Sequence, residues 1–176
     1  MLNLKGEISQ RLDNNLNSIE EVSTISRLQD VNTDLILSLL GQKLGSGVYR
    51  SVYNYNLDDD YVIKIEPNAT DSNISEYLLW DEIRGLCGDL EWVKEWFAPV
   101  KWMSPNGKIL VMEKTFEYPK NKKLERPVEV PAFFTDLKRD NWGWIGNKFV
   151  CHDYGFLWKF IKYEKKMQKI KKDCWW

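Results

Sequence analysis

The chain has 176 residues, 43% apolar and 29% charged, with a net charge of −1. It can bury one core, or one core with an appendage. It contains no run of eighteen apolar residues to span a membrane, and MLNLKGEISQ lacks the apolar stretch of a signal peptide, so a soluble cytoplasmic protein is expected. Cys87, Cys151 and Cys174 are an odd count without CxxC spacing, which points away from a disulfide framework or a zinc knuckle. His152 follows Cys151 directly; two adjacent ligands do not make a zinc site, and the pair is read as structural.

In chain order, residues 1–40 read as a helical extension. Ile8, Leu12, Leu16, Ile19 and Val22 recur at helical steps, Ile25, Leu28 and Val31 continue the run, and NTDLILSLLG predicts a short helix stopped by Gly41. This extension is acidic, with six acidic and three basic residues, and is read as a brace or a dimerisation element.

From Gln42 the pattern changes. QKLGSGVYRSVYNYN and YVIKIE are β-branched and aromatic, with LDDD as a turn; NISEYLLWDEIRGLC returns to helical spacing with Ile74, Leu78 and Ile83 on one face; APVKWMS and KILVMEK are strands joined by PNG. Residues 41–114 thus read as β-β-β-α-β-β. Residues 115–176 begin with a Pro-punctuated connector and end in a helix expected over roughly Leu157 to Lys172. Leu157, Phe160, Ile161, Met167 and Ile170 would share its apolar face. The last twenty-one residues carry seven Lys against Glu164 and Asp173, so this helix would be basic and amphipathic. Packing on the core is the favoured reading of that helix, ahead of contact with nucleic acid, an acidic protein or a membrane surface. The nine Trp are read as packing before base stacking.

The chemistry lies in the order of a few polar residues. In LGSGVYRSVY, Gly45 and Gly47 predict a tight turn whose backbone N–H groups can approach phosphate oxygens. Twelve residues after Val52 comes Lys64, on a strand, and twelve further comes Glu76, on the helix. Glycine loop, strand Lys and helix Glu in this order resemble the small lobe of protein kinases. DLKRDN, Asp136 to Asn141, is similar to the kinase catalytic-loop pattern D-L-K-x-x-N, and Asp153-Tyr154-Gly155 stands where kinases have Asp-Phe-Gly. More narrowly, APVKWMSPNGKILVMEKT, VPAFFTDLKRDNWG and NKFVCHDYG resemble the short kinase-like proteins of tailed bacteriophages.

The resemblance implies an α+β, protein-kinase-like fold. It would have an N-lobe with a five-stranded antiparallel sheet and a helix of the αC type, a strongly truncated C-lobe, and the N-terminal helical extension. It further implies ATP and Mg2+ as cofactors. Gly45 and Gly47 would cover the phosphates, Lys64 would pair with them and with Glu76, and Val52 and Val62 would flank adenine. Met112 would be the gatekeeper, with the backbone of Glu113 to Thr115 as the hinge. Asp136 would orient or deprotonate the acceptor, Lys138 would neutralise the transferring phosphoryl, and Asn141 and Asp153 would hold the metal.

Departures from the family pattern carry their own implications. Arg50 replaces the third glycine and adds a cation near the phosphates, while Phe134-Thr135 replaces the usual His-Arg, so control by a phosphorylated activation loop is not expected. The connector before Asp136 is short, and Pro127 and Pro131 oppose a long helix there. Only twenty-one residues follow Gly155, too few for a peptide-substrate platform. Two functions stay open: a minimal ATP- and Mg2+-dependent phosphotransferase acting on a host protein or itself, and a pseudokinase-like protein that binds nucleotide, or a host or phage partner.

Overall fold

The computed structural model describes residues 33–68, 70–121, 125–157 and 164–170. The helices expected over residues 1–32, and the oligomerisation they would serve, lie outside the described residues.

The architecture is α+β, with a five-stranded antiparallel sheet and one main helix, as expected. A short helix α1 (Thr33–Leu39) leads directly into β1 (Leu40–Ser46), followed by β2 (Ser51–Tyr55) and β3 (Tyr61–Ile65). Helix α2 (Ser72–Arg84) and an irregular 3-10 stretch (Gly88–Trp96) precede β4 (Val100–Met103) and β5 (Ile109–Glu113). The sheet order is β1-β2-β3-β5-β4.

Side chains alternate across a strand, so the register decides which face each residue serves. Tyr53 pairs with Ile63 and Ile63 with Val111, and these join Ile65, Ile36 and Leu40 in a core on the α1 side. On the opposite face Val52 pairs with Lys64, Lys64 with Leu110, and Val62 with Met112. There Val62, Leu110 and Met112 meet Leu79 and Ile83 of α2 in the larger core. The lysine of YVIKIE is therefore carried inward by strand alternation.

The buried stripe of α2 is Asn73, Glu76, Leu79 and Ile83, whereas Leu78, expected on the inner face, is 40% exposed. The helix is rotated from the all-apolar reading because Asn73 and Glu76 take inward positions to meet charged groups of the sheet. No side chain of Asp71 caps the helix; instead Glu66, buried just beyond β3, accepts hydrogen bonds from the backbone N–H of Ser72 (3.2 Å) and Asn73 (2.8 Å). A carboxylate there satisfies orphan donors and favours the helix dipole. Strand and helix are thereby locked in one register.

Past β5 the chain forms short strands around an aromatic cluster. β6 (Glu129–Pro131) precedes a hairpin of β7 (Trp142–Ile145) and β8 (Lys148–Cys151), whose turn places Gly146 at φ +61°. Phe97 packs edge-on to Tyr154 at 5.0 Å and meets Phe134 at 5.0 Å; Phe134 meets Trp142 at 4.6 Å. Pairs of this kind add about 0.5–1.5 kcal/mol each beyond their buried area. Ala98 N–H donates to the Cys151 carbonyl at 2.8 Å, and the Tyr154 hydroxyl donates back to the Ala98 carbonyl at 2.8 Å, fastening this part to the sheet.

The closing helix is corrected by the structure. Met167–Lys169 form a strand, β9, antiparallel to β6, with Val130 opposite Gln168. The Gln168 side-chain amide donates to the Phe134 carbonyl at 2.5 Å, Ala132 N–H donates to Lys166 O at 2.7 Å, and Ile170 N–H to Val128 O at 3.0 Å. The edge of β6 thus draws residues 166–170 into extended pairing, which outweighs their helical spacing of apolar groups. A helix running on through Met167–Lys169 is thereby corrected; residues 158–163 and 171–176, which the expected helix also spans or adjoins, lie outside the described residues. Among the described residues no helix is long and apolar enough to cross a membrane.

Candidate functional site

A buried ion cluster lies where β3, α2 and the 152–155 segment meet. Glu76, 0% exposed, accepts from Lys64 Nζ through Oε2 (2.9 Å), from Arg50 through Oε1 (2.6 Å), and from the backbone N–H of Tyr154 (3.1 Å). Burial works against a charged Glu76, but Arg50 and Lys64 outweigh it and hold its carboxyl at about 2. For Lys64 burial dominates, and with the neighbouring Arg50 cation it lowers the ammonium below its ordinary value against the pull of Glu76 and Asp153. Lys64 also donates to the His152 carbonyl at 2.5 Å. With three donors on an ammonium, one remains for a further acceptor.

Arg50 is the member that sequence reading placed differently. Its guanidinium turns away from the loop tip, onto Glu76 and onto Asp153 Oδ1 (2.6 Å), with Asn73 Oδ1 at 3.4 Å. Burial alone would lower its pKa, but Glu76 and Asp153 raise it above the ordinary arginine value, so the charge is permanent. Two cations and two carboxylates therefore interlock as Lys64, Glu76, Arg50 and Asp153.

His152 braces the next layer. Its Nε2–H donates to the Asp140 carbonyl at 2.8 Å, which leaves Nδ1 to accept from the Thr115 hydroxyl at 2.8 Å. Burial and the Lys64 cation push the imidazole down to about 4, against a weaker pull from Asp140, so the ring is neutral at physiological pH. The His152 backbone N–H donates to the Asn141 carbonyl at 2.8 Å. Through these bonds the segment after β5, the 136–141 loop and Asp153 hold a fixed relation. Sequence reading treated His152 as structural and had no signal for this bridging role, because its partners are distant in the chain.

A cavity of about 590 Å³ opens against this cluster. Gly45, Gly47 and Val52 line one side; Val62, Lys64 and Met112 the back; Glu113 and Thr115 the next edge; Asn141 and Asp153 the opposite side. The structure thus brings ten sequence-selected residues to one space, with Glu76 directly behind Lys64. Asp136 and Lys138 line an adjoining cavity of about 220 Å³ with Val48, Tyr49 and Phe156, and Asn141 and Asp153 border both. Asp136 and Lys138 pair with each other at 3.3 Å in solvent.

Backbone geometry sharpens two of these positions. The turn from β1 to β2 is closed by Gly47 N–H donating to Arg50 O at 2.8 Å, yet neither Gly45 nor Gly47 has positive φ. A Cβ on Gly45 would meet no heavy atom within 4 Å, so the fold does not require glycine there; its absent side chain leaves cavity space. After β5, the Glu113 N–H is bonded to Pro99 O (2.9 Å) and the Lys114 N–H to Asp60 O (2.7 Å), while the Thr115 amide has no backbone acceptor among the described residues. Burial, then Asp60, raises the Glu113 carboxyl above its ordinary value against Lys101 and Lys148.

Asp153 offers a carboxylate with its side chain 46% exposed, and Asn141 an amide oxygen beside it, hard ligands that suit a divalent cation whose other ligands are phosphate and water. Among the described residues no cluster of three or more His, Cys, Asp or Glu could hold a metal by protein groups alone. Compared with known proteins, the chain matches no family model and no curated sequence.

Proposed function

We propose that this chain is a protein-kinase-like phosphotransferase that binds ATP with Mg2+ in the 590 Å³ cavity. The observation that carries the reading is the buried Lys64–Glu76 pair, at 2.9 Å, facing Asn141 and Asp153 across a cavity edged by Gly45 and Gly47. An ordinary structural ion pair has no reason to face an open space lined by two glycines, a polar metal-suited pair and a backbone amide with no backbone acceptor among the described residues.

Val52, Val62 and Met112 supply the apolar walls for a base, and the Thr115 N–H a donor for its edge. The remaining Lys64 donor meets phosphate oxygens, and Gly45 leaves room for them. Asn141 and Asp153 would hold Mg2+, which neutralises charge on the phosphates when bound. In transfer, an acceptor hydroxyl forms a bond to the γ-phosphorus while the bond to the β–γ bridging oxygen breaks and ADP leaves. Asp136 takes the hydroxyl proton, and Lys138 counters the charge spread over the transferred oxygens. The acceptor is a host protein or this chain itself, in the cytoplasm.

The Arg50–Asp153 pair favours a second reading, nucleotide binding without transfer, with a host or phage protein as partner. Incubation of the full chain with γ-labelled ATP and Mg2+ separates the two. Transfer by wild type, lost in Asp136→Ala and Asp153→Ala, supports the phosphotransferase; thermal stabilisation by ATP without transfer supports the second reading; absence of both refutes the nucleotide site.

A further inference from the structure

We propose that Arg50 is the resident cation of this site, holding Asp153 when no nucleotide is bound and so making divalent-metal binding conditional on nucleotide. The inference rests on the reading of Asn141 and Asp153 as the metal-holding pair. Arg50 stands at the foot of the glycine loop, immediately before β2, yet its side chain is only 10% exposed and its guanidinium lies at 2.6 Å from both Glu76 and Asp153. A side chain there without a task inside the cavity would turn to solvent.

The charges around it decide what a metal meets. Glu76 is 0% exposed and already accepts from Lys64, Arg50 and the Tyr154 N–H, so it does not reach into the cavity as a ligand. Asp153 is then the one carboxylate of the metal-suited pair, and its Oδ1 is committed to a guanidinium. A small divalent cation demands near-octahedral geometry and sheds its water reluctantly, so one shared carboxylate and one amide hold it weakly. The fixed positive charge of Arg50 adds direct repulsion, little screened in a partly buried site. Nucleotide phosphates reverse both terms. They supply oxygen ligands to the metal and offer Arg50 and Lys64 a polyanion, which lets the guanidinium release Asp153. Arg50 thus fixes the order of events, and together with Lys64 it balances the charges of Glu76 and Asp153.

The test is a titration of the full chain with Mn2+, read by calorimetry or by the electron-spin signal of free Mn2+, without nucleotide. Wild type binds weakly; Arg50→Met tightens Mn2+ binding by roughly tenfold or more, as removal of a neighbouring positive charge requires. Adding Asp153→Asn to that variant abolishes the gain. Arg50→Gln, neutral but still able to donate to Glu76 and Asp153, gives the same tightening and serves if the Met variant fails to fold. Equal or weaker Mn2+ binding in the folded Arg50 variants overturns the inference. Tightening that survives Asp153→Asn overturns it too, since the metal then sits elsewhere. Loss of ATP-dependent stabilisation would be a failure of the nucleotide reading; it is measured separately, with metal-free ATP, on wild type.

Discussion

Two acidic residues of the same site live in opposite conditions. Glu76 is sealed between β3, α2 and Tyr154, accepting from Lys64, Arg50 and the Tyr154 backbone N–H. Asp136 lies in a loop at the second cavity, paired with Lys138 at 3.3 Å, which is itself mostly in solvent. The first carboxylate is held by the fold and in turn holds the fold, since α2 cannot leave the sheet without stranding two cations. The second contributes almost nothing to folding and is free to meet a ligand. Buried charge sets the geometry here, and exposed charge stays open to solvent and ligand.

The largest effect expected from this contrast is on stability. Glu76→Ala leaves Lys64 and Arg50 buried without their shared counter-charge and costs about 3–5 kcal/mol, the range for removing one partner of a buried pair. Asp136→Ala breaks an exposed pair and changes stability by no more than about 0.5 kcal/mol. Urea unfolding of the two variants checks this directly; losses of similar size would break the comparison.

Acid sharpens it further, because the buried groups resist protonation changes that the unfolded chain accepts. His152 stays neutral in the fold down to about 4, whereas its ordinary value is 6.5. Below 6.5 the unfolded state gains a proton that the native state refuses, so stability is complete above that pH and declines as pH falls toward 4, by about 2–3 kcal/mol. Glu76 acts in a lower window: its carboxyl, held at about 2 against an ordinary 4.5, contributes stability above 4.5 that disappears as pH falls toward 2. Urea midpoints from pH 7.5 to 3.5 should show the first decline in wild type and a flatter profile between 6.5 and 4.5 in His152→Gln. An unchanged slope in that variant would assign the decline to other groups.

Legibility in the sequence follows the same division. The sheet and α2 were readable because alternation, helical spacing and turn residues are local, and Lys64 and Glu76 stood out because their order after the glycine loop resembles the small lobe of protein kinases. What local pattern misses is what distant partners decide. Residues 167–169 carry helical spacing yet become a strand because β6 offers an unpaired edge, with Gln168 meeting carbonyls of residues 131 and 134. Leu78 was expected inward, but the need of Asn73 and Glu76 to meet the sheet's charges rotated α2. The β7–β8 hairpin did have a signal, Gly146-Asn147 between two aromatic runs, which can be read as a turn. Arg50 had none: a cation at the end of a glycine loop gives no sign in the sequence that it folds back onto Glu76 and Asp153.

The smallest expected effects separate glycines kept by the fold from glycines kept by the cavity. At Gly155 a Cβ would lie 2.9 Å from the backbone oxygen of Ser72 and 3.4 Å from Glu76 Cγ, so the 153–155 segment passes against the first turn of α2 with no room for a side chain. Gly155→Ala must push that turn away, which costs about 1–2 kcal/mol as an overpacking change and loosens Glu76 from Lys64. Gly45→Ala meets nothing within 4 Å and removes chain entropy from the unfolded state, so its stability is unchanged or rises by up to about 1 kcal/mol. Its added methyl enters the space at the cavity edge, and ATP-dependent thermal stabilisation should fall while the unliganded melting temperature holds. If Gly45→Ala left ATP stabilisation intact, the glycine loop would not be the phosphate side of the cavity, and the contrast between structural and functional positions would have to be redrawn around the 136–153 side alone.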